Sequence, residues 1–313
     1  MKKFRLVVSF LLIFILALGT VACKNKNGTS KVTEIKINGS GETYAKDVVT
    51  GEELMLVSDR ESDYKIVLSS VAGNVEKDAA NELQTYIALS TKCVLPIITD
   101  SGIAFDNKSK YISVGDTLIY KSFNVDTTYN ELGDSGFKIL LGGNVIALKG
   151  ATQEGTLYAV YEFLAKEIGF EAYAHDEIYY NKVSNVSVVN FSEYKVTAAV
   201  DYRLITFGDV RDVKESKVLR LTGSQSNGTS VYGLDWGLAA HSIETLVPYG
   251  KYGPIHPEWF WGGEICLSND ELIDTLVEAL KLKILGSPTA RFFELGHGDN
   301  AYQCGCEKCK QGS

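Results

Sequence analysis

Residues 137–149 read FKILLGGNVIALK and residues 155–169 read GTLYAVYEFLAKEIG. In the first stretch two β-rich runs flank Gly142-Gly143-Asn144, whose glycines supply the positive φ of a tight turn, so the stretch is expected to be a β-hairpin. The second places Leu157, Val160, Tyr161, Leu164 and Ile168 on one helical face, and Gly169 stands where a left-handed C-terminal cap belongs. Toward the N-terminus, Tyr111 to Val114 reads as a strand, and so does Tyr64 to Ser69. Between them Asn74 caps a helix bearing Val75, Ala79, Leu83, Tyr86 and Ile87. The order β-α-β-β-β-α predicts an α/β domain over residues 42–195, a small mixed sheet with helices packed on it.

Toward the C-terminus, Thr197 to Phe207 predicts a strand that starts a second domain near Val196. Ser268 and Glu271 have capping-box spacing ahead of a helix with Leu272, Ile273, Leu276, Val277 and Leu280, which Gly286 and Pro288 end. Arg291 to Leu295 then reads as a strand running into the polar run Gly296-His-Gly-Asp-Asn300. Strand, helix and strand with polar residues at the strand's C-terminal end is the repeating unit of a (β/α)8 barrel, whose sites lie at that face. Residues 196–313 are therefore expected to be the first part of such a barrel. Three or four strands can be counted and the sequence stops 14 residues past Asp299, so the barrel reads as truncated and the chain as an inactive fragment.

The N-terminus carries a different signal. Lys2, Lys3 and Arg5 precede an apolar run from Leu6 to Leu18 and the small-residue approach to Cys23. Basic flank, apolar core and small residues make a secretory signal over residues 1–22, and the run is shorter than the roughly 20 residues of a membrane helix. Thr20-Val-Ala-Cys23 resembles the lipobox of bacterial lipoproteins, which implies an exported protein held to the membrane by a lipid on Cys23. Residues 23–41 read as a polar tether. The composition, 45% hydrophobic and 22% charged, is that of a globular chain. A net charge of -8 argues against a nucleic-acid partner, because phosphate binding needs a basic face. Seventeen tyrosines suit a glycan partner, whose pyranose faces stack on aromatic rings, although aromatics fill cores as readily.

A family resemblance rests on particular residues. Tyr64-Lys-Ile-Val-Leu, Gly155 to Leu164 and the Glu167 to Tyr173 segment resemble the N-terminal domain of bacterial α-glucuronidases and β-hexosaminidases. Asp235-Trp236, His241, Val247-Pro-Tyr, His256-Pro-Glu-Trp-Phe260, Ile265-Cys-Leu-Ser-Asn269, Asp299-Asn300 and Cys304-Gly-Cys306-Glu-Lys-Cys309 resemble the domain of unknown function 4838. That resemblance implies a glycoside hydrolase of the family 163 type, an endo-β-N-acetylglucosaminidase acting on N-glycans, or a glycan-binding lipoprotein that captures without cleaving.

Asp299 is the candidate catalytic carboxylate, since it follows a strand at the expected active face, although it reads almost as readily as a capping residue. Glycoside hydrolysis normally takes a pair of carboxylates, and Glu294 is a weaker second candidate. His241, His256, Glu258, Trp259, Arg203 and Asn300 are candidate substrate-binding residues. The same His-Pro-Glu-Trp-Phe run also reads as a rigid turn whose Trp259 and Phe260 fill a core. No cofactor is required by this chemistry. Cys304, Cys306 and Cys309 are spaced to give three thiolates to a structural zinc, with Cys266 the nearest fourth candidate in chemistry; a disulfide or free thiols fit the spacing as well. Cys93, beside Val94 and Leu95, is expected to be simply buried.

Overall fold

The computed structural model describes residues 31–38, 41–49, 53–200, 203, 213–221, 236–238, 241–262, 264–288, 290, 292–299 and 304–311. The expected signal segment, Cys23, Asp235, Arg291 and Asn300 lie outside the described residues. Strands Lys31–Asn38 (β1), Gly41–Val49 (β2), Glu53–Val57 (β3) and Lys65–Leu68 (β4) lead into helix Asn74–Thr91 (α1). Ile97–Thr99 (β5), Tyr111–Val114 (β6), helices Leu118–Ser122 (α2) and Tyr129–Leu132 (α3), Phe137–Gly142 (β7) and Val145–Gly150 (β8) follow. Helix Gln153–Ile168 (α4) precedes Glu171–Ala172 (β9), Ile178–Tyr179 (β10), Val186–Val189 (β11), Glu193–Ala198 (β12) and helix Val213–Val218 (α5).

Eight of these strands form one mixed sheet in the order β1-β2-β12-β7-β8-β6-β4-β5. β5, β4, β6 and β8 run parallel, while β7, β12, β2 and β1 each pair antiparallel with the strand before. Side chains alternate across a strand, and that alternation sets the layers. Ile66, Leu68, Ile112, Val114, Ile146 and Leu148 join Leu83 and Ile87 of α1 and Leu157, Tyr161 and Leu164 of α4 in the main core. Val67 and Val145 turn to the other face, against Ile119 of α2. The fold is thus a mixed α/β unit with helices on both faces of its sheet.

The expected β7–β8 hairpin and the helix that follows it are both present. Gly143 has φ +62° at the β7–β8 turn. Thr152 caps α4 by accepting from the Gly155 amide at 3.0 Å, and Gly169 ends it in the left-handed region. The crossing from β8 to α4 is so close that a Cβ on Gly150 would lie 2.2 Å from the Gly155 carbonyl carbon, which only glycine avoids.

Several expectations are corrected. The polar tether over 23–41 does not extend through its whole range, because β1 occupies Lys31–Asn38. The predicted cap of α1 moves one residue back, to Gly73, whose amide donates to Glu76 Oε2 at 3.2 Å. Of the strand expected over 197–207, Thr197 and Ala198 are the end of Glu193–Ala198, which lies inside the first sheet between β2 and β7, while residues 201–202 and 204–207 lie outside the described residues. α5 belongs to the first unit too: Lys217 Nζ reaches Asp78 at 2.9 Å and Glu82 at 2.7 Å, and Val218 enters the main core. The first unit therefore extends past 195, to about Leu221.

A smaller unit follows: Trp236–Leu238 (β13), helices Ser242–Leu246 (α6) and Tyr249–Tyr252 (α7), and a 3-10 turn at Pro257–Trp259. Then come Phe260–Trp261 (β14), Glu264–Ile265 (β15), helix Asp270–Leu285 (α8), Phe292–Phe293 (β16) and helix Glu307–Gln311 (α9). Its core gathers Leu238, Ile243, Val247, Trp259, Ile265, Leu272 and Leu276, with the four cysteines beyond Gly262 packed against them. β13 and β16 pair in parallel. The cap of α8 is Asn269, whose Oδ1 accepts from the Leu272 amide at 3.0 Å, rather than Ser268.

Candidate functional site

β13 and β16 lie side by side and point the same way, so their C-terminal ends deliver His241 and the segment Glu294 to Asp299 to one place. The start of α6 fixes that segment. Ser242 Oγ donates to the Glu294 carbonyl and accepts from the Gly296 amide at 3.1 Å, while the Ile243 amide donates to the Gly296 carbonyl at 3.2 Å. His241 is held at φ 52°, ψ 31°, a left-handed backbone uncommon for a residue with a side chain. Its Nδ1–H donates to the His297 carbonyl at 2.9 Å, which assigns the tautomer and turns Nε2 toward Asp299 Oδ2, 3.6 Å away. That carbonyl contact, then the Asp299, Glu244 and Glu294 carboxylates, raise the imidazole above its ordinary value. His297 Nδ1 lies 4.0 Å from Oε2 of the buried Glu264, so two imidazoles and four carboxylates surround the strand ends. The arrangement suits proton transfer and hydrogen bonding to a hydroxylated ligand.

The other candidates fall elsewhere. Trp259 is 2% exposed, stacked with the His256 ring at 4.0 Å and the Tyr252 ring at 5.6 Å, and is a core residue rather than a sugar platform. His256 thereby serves the packing, with Nδ1 3.3 Å from Glu258 Oε1. Arg203 donates to the Val200 carbonyl at 2.7 Å, the Arg220 carbonyl at 2.9 Å and Ser135 Oγ at 3.0 Å, and lies over the Tyr158 ring, all within the first unit. Cys93 is buried, as expected.

Four cysteines come together although the first lies 38 positions before the next. Sγ atoms of Cys266, Cys304, Cys306 and Cys309 all lie within 4.8 Å of one another. Ser268, released from capping, sets its Oγ 3.1 Å from Cys306, 3.2 Å from Cys309 and 3.4 Å from Cys266. Ser268 and the Cys309 amide draw the Cys306 thiol down to about 6, while burial pushes Cys304 up to about 12.

Two further features escaped the sequence reading. Glu215 of α5 holds His175 at both ends, Oε2 accepting from its amide at 2.9 Å and Oε1 lying 2.5 Å from Nδ1. The partners stand 40 residues apart in different elements, so no local pattern signals them. An open concavity of about 770 Å³ lies against β9 and β10, bordered by Tyr173, Tyr179, Glu171 and Glu177. Among the described residues no helix is long and apolar enough to cross a membrane.

Residues 172–313 match the model of a family described as a domain of unknown function, DUF4838. No curated protein matches the chain. A solved structure described as that of CpGH84D is 13% identical over 76% of this chain, with a TM-score of 0.39. The chain spans 41% of that structure's length.

Proposed function

We propose that the protein is an exported, lipid-anchored member of glycan metabolism whose second unit is the opening part of a (β/α)8 barrel, built to act on N-acetylglucosamine-containing glycans as a glycoside hydrolase. The observation that carries this reading is the parallel pairing of β13 with β16, with His241, Glu294 and Asp299 gathered at the C-terminal ends of both strands. Barrel enzymes place their chemistry at that end. The outer half of α8 supports the same reading, since Leu282 and Leu285 are 70% and 77% exposed, an apolar face of the kind a further β/α unit covers. In this scheme Asp299 is the acid/base or orienting carboxylate and His241 sets its charge and position.

A second reading, capture of glycan without cleavage, is favoured by the concavity beside β9 and β10. There Tyr173 and Tyr179 stand 65% and 58% exposed, their rings 5.7 Å apart, next to two carboxylates that can accept from sugar hydroxyls.

One pair of assays separates the two. In a chain carrying a complete barrel, Asp299→Asn should lower turnover of an N-glycan or chitooligosaccharide at least about a hundredfold, the scale of losing an acid/base group, while binding persists. Undiminished hydrolysis by that variant would remove Asp299 from the mechanism. Oligosaccharide binding abolished by Tyr173→Ala and Tyr179→Ala, with no cleavage by any form, would establish the second reading instead.

A further inference from the structure

The cysteine cluster takes no part in the glycan chemistry, lies in the smaller unit's core and needs its own account. Three arrangements of four nearby sulfurs are open to an exported chain: disulfides, free thiols or a metal. Bonded sulfurs stand about 2.0 Å apart, whereas four ligands at a zinc–sulfur distance of about 2.3 Å form a tetrahedron with edges of about 3.8 Å. Cys266 Sγ lies 3.7 Å from Cys306 Sγ and 4.0 Å from Cys309 Sγ, and all four atoms fall within 4.8 Å of one another. The two shortest separations match the edge of a thiolate tetrahedron, and all four sulfurs are close enough to share one ion.

The surroundings fit the same occupant. Metal-bound thiolates keep acceptor capacity that outer hydrogen-bond donors satisfy. Ser268 Oγ stands within 3.4 Å of three of the sulfurs, and the Cys309 amide donates to Cys306 Sγ at 3.4 Å. Gly305 lets the chain pass between two ligands, because a Cβ there would sit 2.7 Å from the Trp261 indole. Soft thiolates exclude calcium and magnesium, and four protein ligands leave no open position for substrate or water.

We propose that Cys266, Cys304, Cys306 and Cys309 bind one structural zinc ion. The ion would tie Cys266, which directly follows β15, to α9 and the turn before it. It thereby closes the span that holds α8, β16 and Asp299. The proposal does not depend on the glycan reading, since a binding protein or a hydrolase would need the same closure.

The test is metal analysis of the full chain purified without chelator or added reductant. Close to one zinc per chain is expected, and exchange for cobalt should give the intense visible bands of a tetrahedral thiolate site. Cys266→Ser should weaken zinc binding more than about tenfold, and Cys93→Ser should retain the full metal content. Less than about a tenth of an equivalent of zinc in the unsubstituted chain would overturn the proposal. It would be overturned whether the mass then showed disulfides or freely alkylated thiols, and so it would by stoichiometric iron in place of zinc. Because the deciding measurement is made on the unsubstituted chain, a serine variant that fails to fold does not blunt it.

Discussion

Glu167 stands in the last turn of α4, half-buried, and burial pushes its carboxyl from the ordinary 4.5 to about 7, with Glu53 adding to the rise and Lys166 opposing it. A carboxyl that holds its proton more tightly in the folded state adds stability below its unfolded value. That stability is lost as pH rises through the folded value. The fold should therefore be more stable near pH 4.5 than near pH 7.5 on this group's account. Glu167→Gln should raise the melting temperature at pH 7.5 and leave it almost unchanged at pH 4.5; an equal shift at both would rule out titration as the cause. Single residues were unevenly legible. Cys266 could be named beside the Cys304, Cys306 and Cys309 set by its chemistry, because thiols are scarce in the chain. Trp259 could not be placed, because a tryptophan after His-Pro-Glu fits a core and a sugar platform equally. Ser268 was misread as a cap because its neighbour Asn269 is an equally good one, and the cysteines decide between them.

Among the elements, those whose partners are adjacent in sequence were readable: the β7–β8 hairpin, α1, α4 and α8 all follow local periodicity. β12 was not, since Glu193 to Ala198 alternates well enough for any sheet and its neighbours β2 and β7 lie far back in the chain. β1 was hidden by composition. Lysine, glutamate and asparagine make Lys31 to Asn38 look like linker, yet the segment pairs antiparallel with β2. The position of β12 gives a sharp expectation. A chain covering residues 31–221 should melt cooperatively. One covering 31–192 should lose that transition, because removing β12 separates β1 and β2 from the other five strands and leaves β7 with a bare edge. Equal melting temperatures of the two forms by circular dichroism would contradict the strand order.

At the scale of the molecule, the division into two cores was legible from length, since the 313 residues of the chain exceed one ordinary domain. The place of the division was not, because α5 is joined to α1 by Lys217, a contact that spans 139 residues. Membrane attachment belongs to this scale as well. If Cys23 carries a lipid, the full protein should sediment with membranes and its N-terminal peptide should begin at a modified Cys23. Cys23→Ala should move it to the soluble or unprocessed fraction. An unmodified thiol, or a mature chain that starts at Met1, would end the lipoprotein proposal.

The interleaving of β12 between β2 and β7 also sets a timetable. A chain is made from its N-terminus, so β2 leaves the ribosome long before its second partner, which ends at Ala198. At about 5–20 residues per second, β1 and β2 wait on the order of ten seconds as a lone ribbon while α1, α4 and the parallel strands are already available to assemble. The first strands of the sheet to be synthesised are among the last to dock, and through that interval one border of the ribbon offers unclaimed amides and carbonyls to any other extended chain nearby. A binding factor that shields extended strands would be needed most in that window.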